Sequence, residues 1–269
     1  MMVFNNVTLK QAVKEWDNNR TEAQTKYGNI SNWDVSKVTD MSSLFGYFPS
    51  HWYYIDFPDI NQWDTSNVTN MSRMFAGTND VDVFPDITSW NVSNVTNMKQ
   101  MFVQSDKFNQ DLSKWDVINV TDMSGMFDGA ISFNHDIGDW DVSNVTNMKE
   151  MFQFAKAFNH DISKWDVSKV TDMNCMFNTG RDGGYFNQDI SKWDVSSVTN
   201  MKQMFKNADA FNQDIGKWDV SNVNDMEEML RGTYLTDFGG KWDIKNIEKQ
   251  VLMNEYRGIL FLRWLDIVS

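Results

Sequence analysis

The chain of 269 residues is poor in cysteine, proline and basic side chains: it has one cysteine, three prolines, and 24 Lys and Arg against 37 Asp and Glu. A single cysteine, Cys175, leaves no internal disulfide. The net charge of -13 argues against binding to nucleic-acid phosphates or to an anionic membrane surface. The most apolar stretch, residues 259–268, is interrupted by Arg263 and Asp266 and is too short for membrane insertion.

Signals of catalysis and of export are also lacking. The sequence has no glycine-rich phosphate loop and no His-Glu-x-x-His motif, and its three histidines form no metal or triad set. We therefore expect no enzymatic activity, no cofactor and no metal ion. Residues 1–10 lack the apolar run of a signal peptide. The expected location is therefore the cytoplasm or an assembled particle such as a virion, rather than the classical secretory route.

Tryptophan and methionine, by contrast, are abundant and periodic. Nine of the twelve tryptophans recur at intervals of 24 to 30 residues, at Trp33, Trp63, Trp90, Trp115, Trp140, Trp165, Trp193, Trp218 and Trp242. Positions within a repeat are counted here from its tryptophan, so W+8 lies eight residues after it. Methionine stands at W+8 and W+11 so regularly that these two columns hold fifteen of the eighteen methionines. Columns this regular predict a stacked core rather than a cofactor box or a peptide groove.

The apolar skeleton I-x-x-W-x-V-x-x-V predicts how one repeat folds. Its period of about 25 residues lies in the range of leucine-rich repeats. Alternation around the tryptophan predicts a short parallel strand at x-W-D-V-S. Asn or Asp at W+7, with Gln or Glu three residues later, predicts a capping box and a short helical return at Asn97/Gln100, Asn147/Glu150, Asn200/Gln203 and Asp225/Glu228. The expected fold class is α/β: a right-handed leucine-rich-repeat-like solenoid of about nine repeats.

Both ends of the chain abandon the repeat, as the raw ends of a stack require. We expect one domain with a helical cap over residues 1–29, a repeat solenoid over 30–246 and a second helical cap over 247–269. The N-terminal cap is predicted to contain helices over residues 8–16 and 22–27. Insertions at residues 48–57, 80–84 and 181–184 lengthen single turns without breaking the register.

The string W-D-V-S-x-V-T-x-M-x-x-M-F, followed by F-N-x-D-I, resembles the BspA-like leucine-rich-repeat proteins. It is most similar to the branch first noticed in Mycoplasma surface lipoproteins, which is also abundant in marine protists and their giant viruses. The resemblance covers about residues 8 to 250. It implies a non-enzymatic solenoid, often displayed on surfaces and used for adhesion or recognition. Unlike the surface members, this sequence has no lipid-attachment cysteine near its start and no anchoring helix.

The outward positions of the predicted strand form polar rows, with Lys at W-1, Asp at W+1 and Ser at W+3. Side chains two apart share a strand face. The rows therefore predict a recognition strip for a protein or a polymeric surface, with these residues as candidates: Lys114, Asp116, Asp141, Ser143, Lys164, Asp166, Lys192, Asp194, Lys217 and Asp219. The alternative is a charge ladder that keeps the sheet in solution, because Lys beside Asp offsets the repulsion of stacked carboxylates.

Two further features are candidates for binding. The insertion at residues 47–57 is rich in aromatic side chains, including Trp52, Tyr53 and Tyr54, which are residue types that dominate interface hot spots. Alternatively, this insertion folds over the first repeats as part of the N-terminal cap. Asp at W-4, with Asn two residues earlier, could bind Ca²⁺ between turns. The alternative favoured by the spacing is that these side chains hydrogen-bond the backbone of the bend.

Together these patterns predict a repeat protein that mediates protein–protein interaction, surface recognition or adhesion through the strip or the 47–57 insertion. The alternative is a structural subunit of a larger assembly, such as a virion or coat component. The sequence leaves both the partner and the oligomeric state open.

Overall fold

The structure is a computed structural model that describes residues 2–46, 57–79, 81 and 83–233. Helices α1 (Asn6–Asn18) and α2 (Arg20–Tyr27) precede the first repeat. Two short 3-10 helices, Ile30–Asn32 and Gly180–Asp182, complete the helical elements of these residues. None of the helices described is long and apolar enough to cross a membrane. The predicted C-terminal cap over residues 247–269 lies outside the described residues.

Helix α1 begins at a capping box, in which the Asn5 side chain accepts from the backbone N–H groups of Val7 and Thr8 while the Thr8 hydroxyl accepts from the N–H of Asn5. Its buried face, which includes Leu9 and Trp16, belongs to the same core as the repeats. Polar contacts also attach α1 to the first repeat. For example, Lys10 Nζ donates to Asp40 Oδ2 at 3.1 Å. The helix thus covers the first repeat of the stack.

Consecutive repeats are joined by parallel backbone bridges at a single position, W+7. The bridges link neighbouring members of the series Asp40, Asn70, Asn97, Asp122, Asn147, Asp172, Asn200 and Asp225. Beside each bridge, the N–H at W+8 donates to the W+7 carbonyl of the next repeat at 2.7–3.1 Å. The N–H at W+6 donates to the W+6 carbonyl of the preceding repeat at 2.8–2.9 Å. Each repeat is therefore bonded to both of its neighbours along one line.

The bridges lie seven residues after the tryptophan, not at the x-W-D-V-S segment where the sequence predicts a strand. Around the tryptophan, the backbone instead closes local turns. In the Trp140 repeat, the Trp140 N–H donates to the Ile137 carbonyl and the Val145 N–H donates to the Val142 carbonyl. The side chain at W+1 bends the chain here, because Asp141 Oδ1 accepts from the N–H two residues later at 3.0 Å.

The helical return predicted after W+7 is absent from the described repeats. In the Trp90 repeat, alternate amides leave the repeat: the N–H groups of residues 98, 100, 102 and 104 donate to carbonyls of residues 122, 124, 126 and 128 at 2.6–3.0 Å. An α-helix would need those amides for its own carbonyls. The capping boxes do not form either, since Asn97 Oδ1 accepts from the Lys99 N–H two residues on, and its equivalents at 147, 200 and 225 do the same.

The return adopts left-handed backbone at W+10 in every described repeat and at W+14 in six of them, while Thr179 at W+14 of the Trp165 repeat has φ -99°. At W+10, φ lies between 53° and 61° in all eight described repeats, although a single one of these residues, Gly125, is glycine. At W+14, φ is between 53° and 79° at Gly77, Gln104, Gly129, Phe154, Asn207 and Gly232. The amide of the left-handed residue donates to the next repeat, as the Gln100 N–H does to the Ser124 carbonyl, whereas the following Met101 N–H donates to the Met98 carbonyl of its own repeat. The strain at the non-glycine members is a local cost of this regular geometry.

The columns predicted to form the core are buried, which confirms that part of the sequence analysis. Each indole Nε1 donates to the W-3 carbonyl of the preceding repeat at 3.0–3.2 Å, from Trp63 to Trp218. The W+12 phenylalanines stack at 5.5–5.7 Å from Phe45 to Phe205. A second phenylalanine column, which the sequence analysis did not single out, faces the first at 3.9–4.1 Å at Phe108, Phe133, Phe158, Phe186 and Phe211.

The W+14 position provides a matched test of this backbone geometry. Gly129→Ala should destabilise the fold by about 1–2 kcal/mol, because φ is 72° and the added Cβ would lie 3.3 Å from Gln104 Cα. Gln104→Gly removes a left-handed side chain and should be neutral or stabilising by about 0.5 kcal/mol. Urea unfolding of the two variants measures both effects. Equal destabilisation by the two substitutions would contradict the left-handed assignment.

Candidate interaction surfaces

The described members of the predicted strip are exposed, apart from the half-buried Ser143, and the structure gives most of them a role in the turns. At W+1, each Asp or Asn accepts from the N–H at W+3 through Oδ1 at 3.0–3.2 Å, from Asp34 to Asp219. Hydrogen bonds from the Ser168 hydroxyl and N–H lower the pKa of Asp166, and Ser221 does the same to the pKa of Asp219. The Asp and Ser rows are therefore structural, whatever else they contact.

The lysine row at W-1 is more available to a partner. Lys114, Lys164, Lys192 and Lys217 are all exposed. Lys164 donates to Asp139 Oδ1 at 3.0 Å, and this bond raises the pKa of Lys164. Within the described residues, the other three lysines form no ion pair with the W+1 carboxylates. Direct pairs between a W-1 lysine and a W+1 aspartate, which a charge ladder would favour, are thus missing from this part of the chain, although Lys164 pairs with Asp139 at W-1 of the preceding repeat.

The aromatic candidates of the insertion, Trp52, Tyr53 and Tyr54, lie outside the described residues. The prediction therefore stays untested for residues 47–56, whereas Phe57 at the end of the insertion is buried against Phe45 and Phe75.

The Asp column at W-4 hydrogen-bonds the backbone of the bend. From Asp59 to Asp214, Oδ1 accepts from the N–H two residues later at 2.9–3.2 Å. The neighbouring Asn column links repeats, as when Asn134 Oδ1 accepts from the Asn159 N–H at 3.1 Å. This is the turn arrangement that the sequence analysis preferred to a Ca²⁺ site. Across the residues the structure describes, no group of three or more His, Cys, Asp or Glu could hold a metal ion.

The sequence analysis missed two exposed polar rows along the line of bridges. The W+6 threonine hydroxyls donate to the W+6 carbonyl of the preceding repeat at 3.1–3.2 Å, from Thr69 to Thr199. The W+4 asparagines donate through Nδ2 to the W+3 carbonyl of the preceding repeat at 2.7–2.8 Å, at Asn67, Asn94, Asn119, Asn144 and Asn222. The sequence signal for both rows was the recurrence of Thr at W+6 and Asn at W+4. A polar residue that recurs at an outward position, with no role in the core, is a candidate for hydrogen bonds between repeats.

One carboxylate departs from this regular bonding. Asp128 is half-buried, and its side chain has no hydrogen-bond donor or cation as a partner among the described residues. Burial, with a smaller contribution from the charge of Glu150, raises the pKa of Asp128 to about 7. In the same turn, the buried Ser124 Oγ also lacks a hydrogen-bond partner among the described residues. Since buried polar groups are normally paired, this turn is an exception within the repeats.

The N-terminal cap carries an open groove of about 610 Å³, lined by α1, Met2, Tyr27 and Asp40. Its volume lies within the range of small-molecule sites. Lys10, which lines the groove, is already bonded to Asp40 and Ser42. The groove therefore offers mainly apolar surface.

Comparison with protein families shows which family contains these repeats. Residues 17–117, 79–183 and 181–257 each match the family described as "Mycoplasma protein of unknown function, DUF285". The chain belongs to this family. The DUF285 matches overlap and together span residues 17–257, so the tandem-repeat character and the broad BspA-like resemblance are confirmed. No curated protein and no solved structure matches the chain.

The Asp128 carboxylate predicts an unusual pH dependence. Its folded-state pKa of about 7 exceeds the unfolded value, so the folded state binds an extra proton between about pH 4 and 7 and loses stability as the pH rises through that window. Asp128→Asn should therefore stabilise the protein at pH 8 by about 1–2 kcal/mol. The pKa shift alone corresponds to at most about 4 kcal/mol, and the partial exposure of Asp128 reduces that free energy. At pH 3.5 the variant and the wild type should be alike.

Urea unfolding at the two pH values measures the effect of this substitution. Asp166→Asn is the matched control, because the pKa of that carboxyl is lowered and its removal should bring no gain at pH 8. Equal stability of Asp128→Asn and the wild type at pH 8 would show that the Asp128 carboxylate is well solvated.

Proposed function

We propose that the protein is a non-enzymatic binding scaffold, a right-handed solenoid of the leucine-rich-repeat type that recognises another protein or a polymeric surface. The observation that carries this proposal is the repetition of the same exposed groups at fixed positions. Backbone bonds between repeats hold the W+7 positions in line, and the outward rows at W-1, W+1, W+4 and W+6 follow that line. Extended faces of this kind are the binding surfaces of stacked-repeat proteins.

The rigidity of the rows supports a binding role. The W+1, W+4 and W+6 side chains are already hydrogen-bonded to the backbone, so they lose little conformational freedom when a partner arrives. The lysines at W-1 add exposed positive charge to a chain whose net charge is -13. We propose that these lysines, with the Asp and Ser rows beside them, form the contact strip of the scaffold.

The resemblance of the W-D-V-S-x-V-T repeats to surface proteins of the BspA-like branch makes recognition or adhesion the preferred form of this binding. The DUF285 family is described as being of unknown function, so the match itself names no ligand. The proposal therefore rests on the repeated exposed rows.

The lysine row can be tested with a matched set of substitutions. A variant with all four lysines of the row changed to Gln should capture specific partners from extracts of the native source at least tenfold less, because rim charges set encounter rates and partner choice. The four lysines are Lys114, Lys164, Lys192 and Lys217. The control changes four lysines outside all of these rows, Lys14, Lys99, Lys107 and Lys149, to Gln and so removes the same charge.

Quantitative mass spectrometry of the captured material, with circular dichroism to verify folding, provides the measurement. Equal capture by the two variants would remove the strip from the proposal. If light scattering shows ordered self-association of the wild-type protein, and no other component is captured, the protein is a structural subunit rather than a binding scaffold.

A further inference from the structure

The chain contains two Asp-Gly dipeptides, and the structure describes both of them. They are Asp128-Gly129 and Asp182-Gly183. An aspartate that precedes glycine is chemically labile, because the glycine nitrogen has no neighbouring Cβ to hinder its attack on the aspartate side-chain carbon Cγ. Most other aspartates precede Val, Ile or Met, whose bulk slows this attack. The sequence therefore offers two candidate sites for the same modification.

The modification is an isomerisation that releases one water molecule and then consumes one. The glycine nitrogen bonds to the aspartate Cγ, the amide proton and the carboxyl hydroxyl leave as water, and a five-membered imide ring forms. Addition of water to one imide carbonyl restores aspartate. Addition to the other gives isoaspartate, in which the main chain runs through the former side chain and is one methylene longer. Mass and net charge are unchanged.

Backbone bonds between repeats hold Asp128-Gly129 in place. The attacking group, the Gly129 N–H, donates to the Gln153 carbonyl of the next repeat at 2.8 Å. The Asp128 carbonyl accepts from the Gln104 N–H of the preceding repeat at 2.6 Å. Ring closure needs the Gly129 nitrogen to turn toward the Asp128 side chain, so these bonds must break first. The return therefore has to open before the reaction can occur there.

The carboxyl of Asp128 gains no lasting advantage from its environment. Burial raises its pKa to about 7, so near neutral pH much of it is protonated, which is the form that loses water. However, opening of the return also exposes the carboxyl to water, which restores its ordinary pKa before the ring can close. The bonds between repeats therefore decide the reactivity of this site.

Asp182-Gly183 lies outside this bonding, in the 181–184 insertion. The flanking residues Thr179 and Tyr185 donate to carbonyls of neighbouring repeats at 3.2 and 3.0 Å, whereas residues 181–184 form no hydrogen bond with another repeat in the described part of the chain. Asp182 is exposed and Gly183 is buried, so ring closure still needs the 3-10 helix Gly180–Asp182 to open. Opening this single short turn, which leaves the stack intact, costs less than opening a return.

We propose that Asp182-Gly183 is a site of spontaneous isoaspartate formation in the folded protein, and that the repeat stack protects Asp128-Gly129 from the same reaction. The extra methylene enters a segment that already lengthens its turn. The bonds at Thr179 and Tyr185, on either side of it, then keep the register of the repeats. This modification site goes beyond the proposed function as a binding scaffold and does not depend on it.

Ageing of the full-length protein at neutral pH and physiological temperature tests the proposal. Proteolysis and mass spectrometry with electron-transfer fragmentation then measure isoaspartate at each site. In the folded protein, we expect isoaspartate to form at least about tenfold faster at Asp182 than at Asp128, because the bonds of Gly129 must break before it reacts. In urea that unfolds the chain, the two sites should react at similar rates. The melting temperature should not change as isoaspartate accumulates at position 182.

Asp182→Glu and Asp128→Glu form a matched pair of controls that keep the charge. An isoaspartate-specific carboxyl methyltransferase, supplied with labelled S-adenosylmethionine, counts the modified sites independently. The methyl label should disappear in Asp182→Glu, because glutamate would have to close a less favourable six-membered ring, and should persist in Asp128→Glu. The inference would be overturned by a lack of isoaspartate at Asp182 in the folded protein, by an equal or faster reaction at Asp128, or by a preference for Asp182 that persists in urea. A melting temperature that falls as position 182 is modified would also overturn it.

Discussion

A backbone amide can donate to its own turn or to the next repeat, and the structure of this protein depends on that choice. In each return, alternate amides donate to the following repeat, while those between them close four-residue turns. These bonds between repeats exclude an α-helix there, because a helix would keep the amides within the segment. The left-handed residues at W+10 and W+14 belong to the same arrangement, since their own amides are among those that donate to the following repeat.

Side chains reproduce the dependence of each repeat on its neighbour. The indole N–H, the W+6 hydroxyl and the W+4 amide all donate to carbonyls of the preceding repeat. A single repeat would leave these carbonyls to water and its Phe and Met columns exposed. Stability in such a stack is carried mainly by the interfaces between neighbours, so an end without a neighbour needs a cover. Helix α1 meets this need at the start, where Asn6 Oδ1 accepts from the Thr39 N–H, the group that in later repeats bonds to the preceding carbonyl.

The core columns could be predicted from the sequence because burial selects the same residue type in every repeat. The local backbone could not. Asn147 followed by Glu150 is equally compatible with a helix cap and with the turn that forms, in which Asn147 Oδ1 accepts from the Lys149 N–H. Contacts about 25 residues away decide between them, and local spacing does not encode such contacts. The strip residues were recognisable as outward rows, but the structural use of their Asp members depends on turn geometry that appears only once the chain is folded.

Uniform rows and local exceptions carry different kinds of information about binding. The Asp at W+1 recurs because every repeat needs its turn, so its presence does not require selection by a partner. Phe154 serves no such need: glycine occupies the same position in other repeats with less backbone strain. The same reasoning separates Asp128, which lacks a partner in the described part of the chain, from the regularly bonded carboxylates. In a protein built by repetition, specificity is therefore best sought where a residue departs from its column and the departure brings the fold no benefit.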